Sequence, residues 1–254
     1  MSPSTKIALL TGGSRGLGRD MALALAKKGI DVVFTYNSNK EAADKVVAEI
    51  QSLGRKATAF QLDTRNVSQF DAFLEMVTGH LHQATGSPNF DFLINNAGTA
   101  LFVPSPEVTE AQLDDTFNIH FKGVFFLTQK ALPFLNDGGG IVNVSTGVAR
   151  FVVPNYSVYA SMKGAIEVLT RYLAAELGKR KIRVNTIAPG AIETDFNGGA
   201  LRDNKDLNDR ISSTIALGRA GLPEDIGGVV AFLCSDEARW INAQRIEVSG
   251  GQAL

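Results

Sequence analysis

The chain has 254 residues, 44% of them hydrophobic and 20% charged, with a formal net charge of −1. A chain of this length buries a large core without disulfides or metals, and its near-zero charge gives no field to draw in nucleic acid or an anionic membrane. A single cysteine, Cys234, excludes an intrachain disulfide; with residues 1–6 short and polar and no apolar run long enough to cross a bilayer, the chain is expected to be cytoplasmic.

The first apolar run, over 7–10, predicts a strand, followed by a helix over 17–28 that stops at Gly29. A strand at 32–34, an amphipathic helix over 41–53 closed by Gly54, a strand at 57–62 and a helix over 67–81 come next. Then follow a strand at 92–94, a loop with Pro104 and Pro106, helical pattern over 109–135, and a strand at 141–144. A long helix over 156–177, a strand at 182–187, a helix over 223–233 and a strand at 245–248 complete the series. Short, continuously apolar strands alternating with helices predict a parallel sheet covered on both faces. No linker, repeat or charge block divides the chain, so one domain over 1–254 is expected. On pattern alone a closed eight-stranded barrel competes.

The turn after the first strand decides for the open sheet. Gly12, Gly16 and Gly18 fall within Thr11-Gly12-Gly13-Ser14-Arg15-Gly16-Leu17-Gly18, between a predicted strand and a predicted helix. Glycines allow the sharp turn and close approach, and the helix N-terminus offers free N–H groups to a pyrophosphate. Dinucleotide binding is therefore expected, with Ser14 and Leu17 in the turn. An NAD site usually places a carboxylate at the end of the second strand, against the ribose 2′-hydroxyl. This chain has Tyr36-Asn37-Ser38 there, and Glu41 falls later, inside a helix. Arg15, with Lys40 as a second candidate, suits a 2′-phosphate. NADP(H) is accordingly expected over NAD(H), with Asn37 and Ser38 near the ribose.

Tyr159 and Lys163 stand four residues apart on a predicted helix and so share a face. A phenol working near neutrality must be stabilised as phenolate by about 4 kcal/mol. An ammonium at about 4 Å supplies roughly that amount at an effective dielectric of about 20, against a desolvation cost. By itself the pair also suits a packed aromatic beside a surface lysine.

Taken with the glycine turn, Asp63-Thr64, Asn95-Asn96-Ala97-Gly98, Pro189-Gly190 through Thr194, and Gly250-Gly251, the chain resembles the short-chain dehydrogenase/reductase family over essentially its whole length. The resemblance is strongest to its 3-oxoacyl-carrier-protein reductases. It implies a single-domain, Rossmann-like, doubly wound sheet of seven parallel strands, and carbonyl–alcohol interconversion by hydride transfer. Tyr159 would then protonate the carbonyl oxygen, and Lys163 would lower its pKa and hold the nicotinamide ribose. Asp63 and Thr64 would meet the adenine end. Asn96, Ala97 and Gly98 would line the cofactor, and Pro189, Gly190, Ile192 and Thr194 would hold the nicotinamide.

Two positions depart from the family. Its usual serine, thirteen residues before the tyrosine, falls on Thr146, with Ser145 adjacent; neighbouring strand side chains point opposite ways, so only one hydroxyl faces the site, and Thr146 is expected to be that one. Anchoring on Lys122-Gly123-Val124-Phe125 puts His120 where the family's helix asparagine stands. There the resemblance implies a bend in the helix, so that a backbone carbonyl holds a water in a proton relay, which a histidine can permit, or a direct contact of His120 with solvent or substrate; an ordinary hydrogen-bonded, buried histidine is the competing reading. His80 and His82 diverge on their helix, and no cluster has metal-ligand spacing, so no metal is expected.

Substrate walls are expected from Phe102 and Val103, from the loop 150–154, and from a glycine-hinged lid at 196–201 within a substrate segment of about 191–218. Their apolar character favours a small-molecule carbonyl or alcohol with a hydrophobic body. Arg150 is open to an anionic group or to water. Apolar surface on the helices through Phe125 and 156–177, with the resemblance, implies a homotetramer. Two other functions stay open: an NADP(H)-binding sensor or scaffold without useful turnover, and an epimerase that oxidises transiently.

Overall fold

A computed structural model describes residues 5–254; positions 1–4 of the polar N-terminal lead lie outside the described residues. Seven strands, Ile7–Leu10 (β1), Asp31–Tyr36 (β2), Ala57–Gln61 (β3), Phe90–Asn95 (β4), Leu135–Val144 (β5), Arg183–Pro189 (β6) and Arg245–Val248 (β7), form one sheet in the order β3-β2-β1-β4-β5-β6-β7. Every pairing is parallel. The strand order reverses between β1 and β4, which opens a crevice at their C-terminal ends.

Alternation along β1 builds two cores. Ala8 and Leu10 face one side, packing with Met21, Leu25, Val46, Ile50 and Val230; Ile7 and Leu9 face the other, with Phe70, Phe73, Leu127 and Leu173. The first layer is carried by Gly16–Lys27 (α1), Lys40–Ser52 (α2) and, near the C-terminus, Glu224–Leu233. The second is carried by Phe70–Thr85 (α3) and by the later helices Gly123–Ala131 and Ser157–Glu176. Cys234, just after Glu224–Leu233, is buried in the first core, and burial pushes its thiol up to about 12.

The structure refines three elements. The helical patterns over 109–135 resolve into separate pieces. They comprise Glu110–Phe117 (α4), a π-helical turn at Asn118–Lys122, Gly123–Ala131 (α5) and a short 3-10 turn. Gly123 is required at this junction, because a Cβ there would lie 2.1 Å from the Thr64 carbonyl oxygen. The fifth strand starts six residues early: Leu135 pairs with Phe90 before a register shift, and the intervening Asn-Asp-Gly-Gly reads in sequence as a turn. Beyond Ser157–Glu176 (α6), the segment after β6 folds back as the short helices Ala200–Asp203 (α7) and Lys205–Ser212 (α8), with Glu224–Leu233 as α9. Asn197, Gly198 and Gly199 ahead of α7 all adopt positive φ.

Candidate active site

A cleft of about 360 Å³ lies over the crevice. All but two of the residues expected to bind cofactor or to react line it: Gly12, Ser14, Arg15, Gly16, Leu17, Gly18, Asn37, Asp63, Thr64, Asn96, Ala97, Gly98, His120, Ser145, Thr146, Tyr159, Lys163, Pro189, Gly190, Ile192 and Thr194. Ser38 is one exception, falling beyond Asn37 outside the cleft lining, as does Lys40, the second candidate for a 2′-phosphate.

The glycine turn is clamped from below. The Thr11 hydroxyl accepts from the Asn96 and Ala97 N–H groups, and Asn96 Nδ2 donates to the Thr11 and Gly12 carbonyls. The Asn-Asn-Ala-Gly segment thus shapes the turn as well as lining the cleft. Gly12 sits at φ +71°, and a Cβ on Gly18 would lie 2.0 Å from the Gly12 carbonyl oxygen. This close approach leaves a side-chain-free cradle at the N-terminus of α1, which fits the pyrophosphate of a dinucleotide. Arg15, at that N-terminus, is exposed, whereas the alternative cation Lys40 is held by Asp44 at 2.7 Å. No carboxylate stands at positions 37–39 after β2.

Sequence reasoning missed a closure at the other end of the cleft. Arg65 donates bidentately to Asp63 and reaches Asp115 on α4 at 3.2 Å. Hydrogen bonding from Arg65 holds the Asp63 carboxyl below its usual range. No motif marks this bridge, because its ends are fifty residues apart.

The reacting groups gather where β5 meets α6. Tyr159 is buried in the first turns of α6, and Lys163 lies one turn on, its Nζ 5.8 Å from the Tyr159 ring centre. Lys163 Nζ donates to the Val144 carbonyl at 2.7 Å. Here the expected electrostatics are corrected. Burial raises the Tyr159 pKa above its ordinary value, and hydrogen bonding with the Thr146 side chain only partly opposes this. Burial also pushes Lys163 down to about 8. The ammonium is turned to the end of β5, so desolvation governs the phenol.

Of the two candidate hydroxyls, Thr146 contacts Tyr159. Ser145 donates to Glu167 Oε1 at 2.6 Å instead, on the far side of the extended backbone. His120 occupies the π-helical turn, fully buried, with its ring edge-on to Tyr159 at 5.1 Å. Its Nε2 is 2.8 Å from the Thr99 carbonyl, which only accepts, so Nε2 carries the proton and Nδ1 is a bare acceptor. Nδ1 is buried with no partner in the protein. Burial, then the Lys163 charge, push His120 down to about 2, so the ring is neutral. Gly98 makes room for it: a Cβ there would meet His120 Cε1 at 2.8 Å.

The substrate walls differ from expectation. Phe102 packs edge-on against Tyr156 at 5.1 Å, Tyr156 against Tyr159 at 6.0 Å, and Tyr159 against Phe196 at 6.0 Å, forming an aromatic row across the mouth. The loop 150–154 contributes less than expected. Val152 is 92% exposed, Phe151 packs where a Gly147 Cβ would sit, and Arg150 is paired with Glu247 at 3.2 Å.

A family model described as enoyl-(acyl carrier protein) reductase matches residues 12–253. The chain belongs to the short-chain dehydrogenase/reductase family. It is an NAD(P)-dependent oxidoreductase acting on CH–OH groups. This dehydrogenase/reductase is 37% identical to the hydroxynaphthalene reductase-like protein Arp2 of Metarhizium brunneum, over 97% of this chain and 94% of that protein. It is 37% identical to the tetrahydroxynaphthalene reductase PfmaG of Pestalotiopsis fici, over 97% and 91%. The landomycin C-6 ketoreductase LanV, solved with bound NADP and rabelomycin, superposes with a TM-score of 0.88 at 34% identity, covering 97% of this chain and 95% of that one. These relatives are named for hydroxynaphthalene and C-6 ketone reduction, not for the 3-oxoacyl-carrier-protein branch that the motifs most resemble.

Proposed function

We propose that this dehydrogenase/reductase uses NADPH to reduce a ring ketone on a planar, largely apolar substrate. The observation that carries the reading is the buried Tyr159 phenol, beside the Thr146 side chain and lining the cleft next to an aromatic row. The glycine cradle fits a pyrophosphate, and Arg15, with no carboxylate after β2, supports NADPH over NADH. When bound, the nicotinamide supplies the hydride that adds to the carbonyl carbon. Tyr159 gives its proton to the carbonyl oxygen, and its raised pKa keeps that proton in place for the reduction direction. Thr146 donates to the same oxygen, Lys163 holds the ribose, and neutral His120 offers Nδ1 as an acceptor to substrate or to the proton path.

The aromatic row, with the names of the relatives, supports tetralone-like and quinone substrates over acyl thioesters, and the 191–218 segment serves as lid. NADPH oxidation measured over tetralones, quinones, β-ketoacyl thioesters, ketosteroids and sugars tests this. Turnover is expected with the first two classes and with NADPH over NADH. A thioester or sugar preference, or NADH preference, would refute it. Net NADPH consumption also separates it from sensor and epimerase readings.

We also propose a homotetramer. Phe117, Phe121 and Phe125 stack along one face, and exposed Tyr172 and Val168 on α6 continue it. No helix among the described residues is long and apolar enough to cross a membrane.

A further inference from the structure

Behind the reacting groups lies a charged network that the reaction as described does not use. The Arg245 guanidinium, on β7, makes three separate contacts. Nε donates to Glu167 Oε1 at 2.7 Å, Nη1 to Glu247, and Nη2 to the Thr146 carbonyl at 3.1 Å. Glu167 also accepts from the Ser145 hydroxyl. Both sides of the 145–146 backbone are therefore tied to one ion pair: the Ser145 side chain through Glu167, and the Thr146 carbonyl directly. Thr146 is extended (φ −163°, ψ 154°), so its side chain leaves the backbone on the face opposite to Ser145, whose hydroxyl turns to Glu167; the Thr146 hydroxyl also accepts from the Val148 N–H. Glu247 Oε1 is buried without a partner, so its charge is held through Oε2 by Arg245 and Arg150.

We propose that Arg245 is a positioning residue for the reaction, which acts by fixing the Thr146 peptide so that its hydroxyl meets Tyr159 and the substrate oxygen. The inference rests on the role assigned above to Thr146. A planar fork serves three acceptors in one plane; an ammonium on a flexible stem keeps the charge and loses that geometry. Removing the charge altogether would strand the Glu167 carboxylate and leave Glu247 to Arg150 alone, so lysine is the informative replacement.

The test is a double-mutant cycle of Arg245→Lys with Thr146→Val, read as kcat and as KM for NADPH with a tetralone substrate. Arg245→Lys is expected to lower kcat about tenfold with KM for NADPH within about twofold, because the lost interaction is one made in the transition state. In the Thr146→Val background the same change is expected to cost less than about twofold, since the hydroxyl it positions is gone. Equal losses in both backgrounds, or full kcat in Arg245→Lys, overturn the proposal. Full kcat in Thr146→Val strikes the role of Thr146 itself, and the positioning role falls with it. If Arg245→Lys does not fold, the paired Arg245→Gln/Glu167→Gln variant, which removes the guanidinium together with one of its carboxylates, enters the same cycle with the same readings.

Discussion

At positions 145 and 146 two hydroxyls stand one residue apart, and the pleat alone separates their fates. Thr146→Val is expected to lower kcat about 100-fold, the order found when one donor to a developing oxyanion is removed. Ser145→Ala should cost far less; steady-state kinetics on the two variants check this, and the reverse order would exchange their roles. Lys163 sets a second expectation. Its ammonium is pushed down to about 8 while burial raises Tyr159, so above neutrality the lysine is the group that titrates. Carbonyl reduction should therefore fall as pH rises through about 8, and a rate flat to pH 10 would count against it. His120 works at the acid side. The unfolded chain takes up a proton near the ordinary value of 6.5, and the folded chain does not until about 2. This contribution is present above pH 6.5 and lost as pH falls, the loss reaching about 2 kcal/mol at pH 5. Denaturant unfolding at pH 7 and pH 5 should show His120→Asn losing less stability than the parent by about that amount. The Thr146 and His120 positions were legible through the family resemblance, by counting from Tyr159 and by anchoring on Lys122-Gly123-Val124-Phe125. The partners that fix them were not: Thr99, Glu167 and Arg245 lie 21, 22 and 99 residues away in the contacts they make, and no local pattern encodes such pairs.

Among the elements, the β1–α1 turn was read most completely, because its chemistry is local: glycines at fixed spacing, a strand before and a helix after. Gly18→Ala is expected to abolish NADPH binding, since the added methyl overlaps the Gly12 carbonyl and must open the turn. Isothermal titration with NADPH measures this, and retained affinity would be decisive against it. The break between α4 and α5 was legible only through the resemblance, which implies a helix bend where His120 stands. Its residues have ordinary helix-forming patterns, and the π turn exists because Gly123 must clear the Thr64 carbonyl and because His120 must fit beside Gly98. Both are contacts with other elements. Such bulges occur often at functional sites, and this one delivers a histidine to Tyr159. The early start of β5 has a similar origin, as pairing with Phe90 overrides a turn-like sequence.

For the whole molecule, a parallel sheet with two-sided packing followed from the alternation of apolar runs once the glycine turn had excluded a barrel, whereas the order of the strands is set by long-range pairing. The assembly is the expectation that belongs at this scale. Tyr172→Glu together with Val168→Asp, both on exposed positions of α6, should shift the particle from tetramer to smaller species in size exclusion with light scattering. A parent chain already monomeric at micromolar concentration would remove the premise.

The buried Cys234 gives the molecule an internal clock. Its thiol is shut in the core with its proton held to about pH 12, so thiol-specific reagents find no thiolate on the native protein. Any labelling must wait for the region around α9 to open, and with one thiol in the chain each labelling event reports a single opening at a known place. The rate of mass increase under excess reagent thus reads the frequency of that excursion directly, and a cofactor that grips the α1 turn, packed against α9, should slow it.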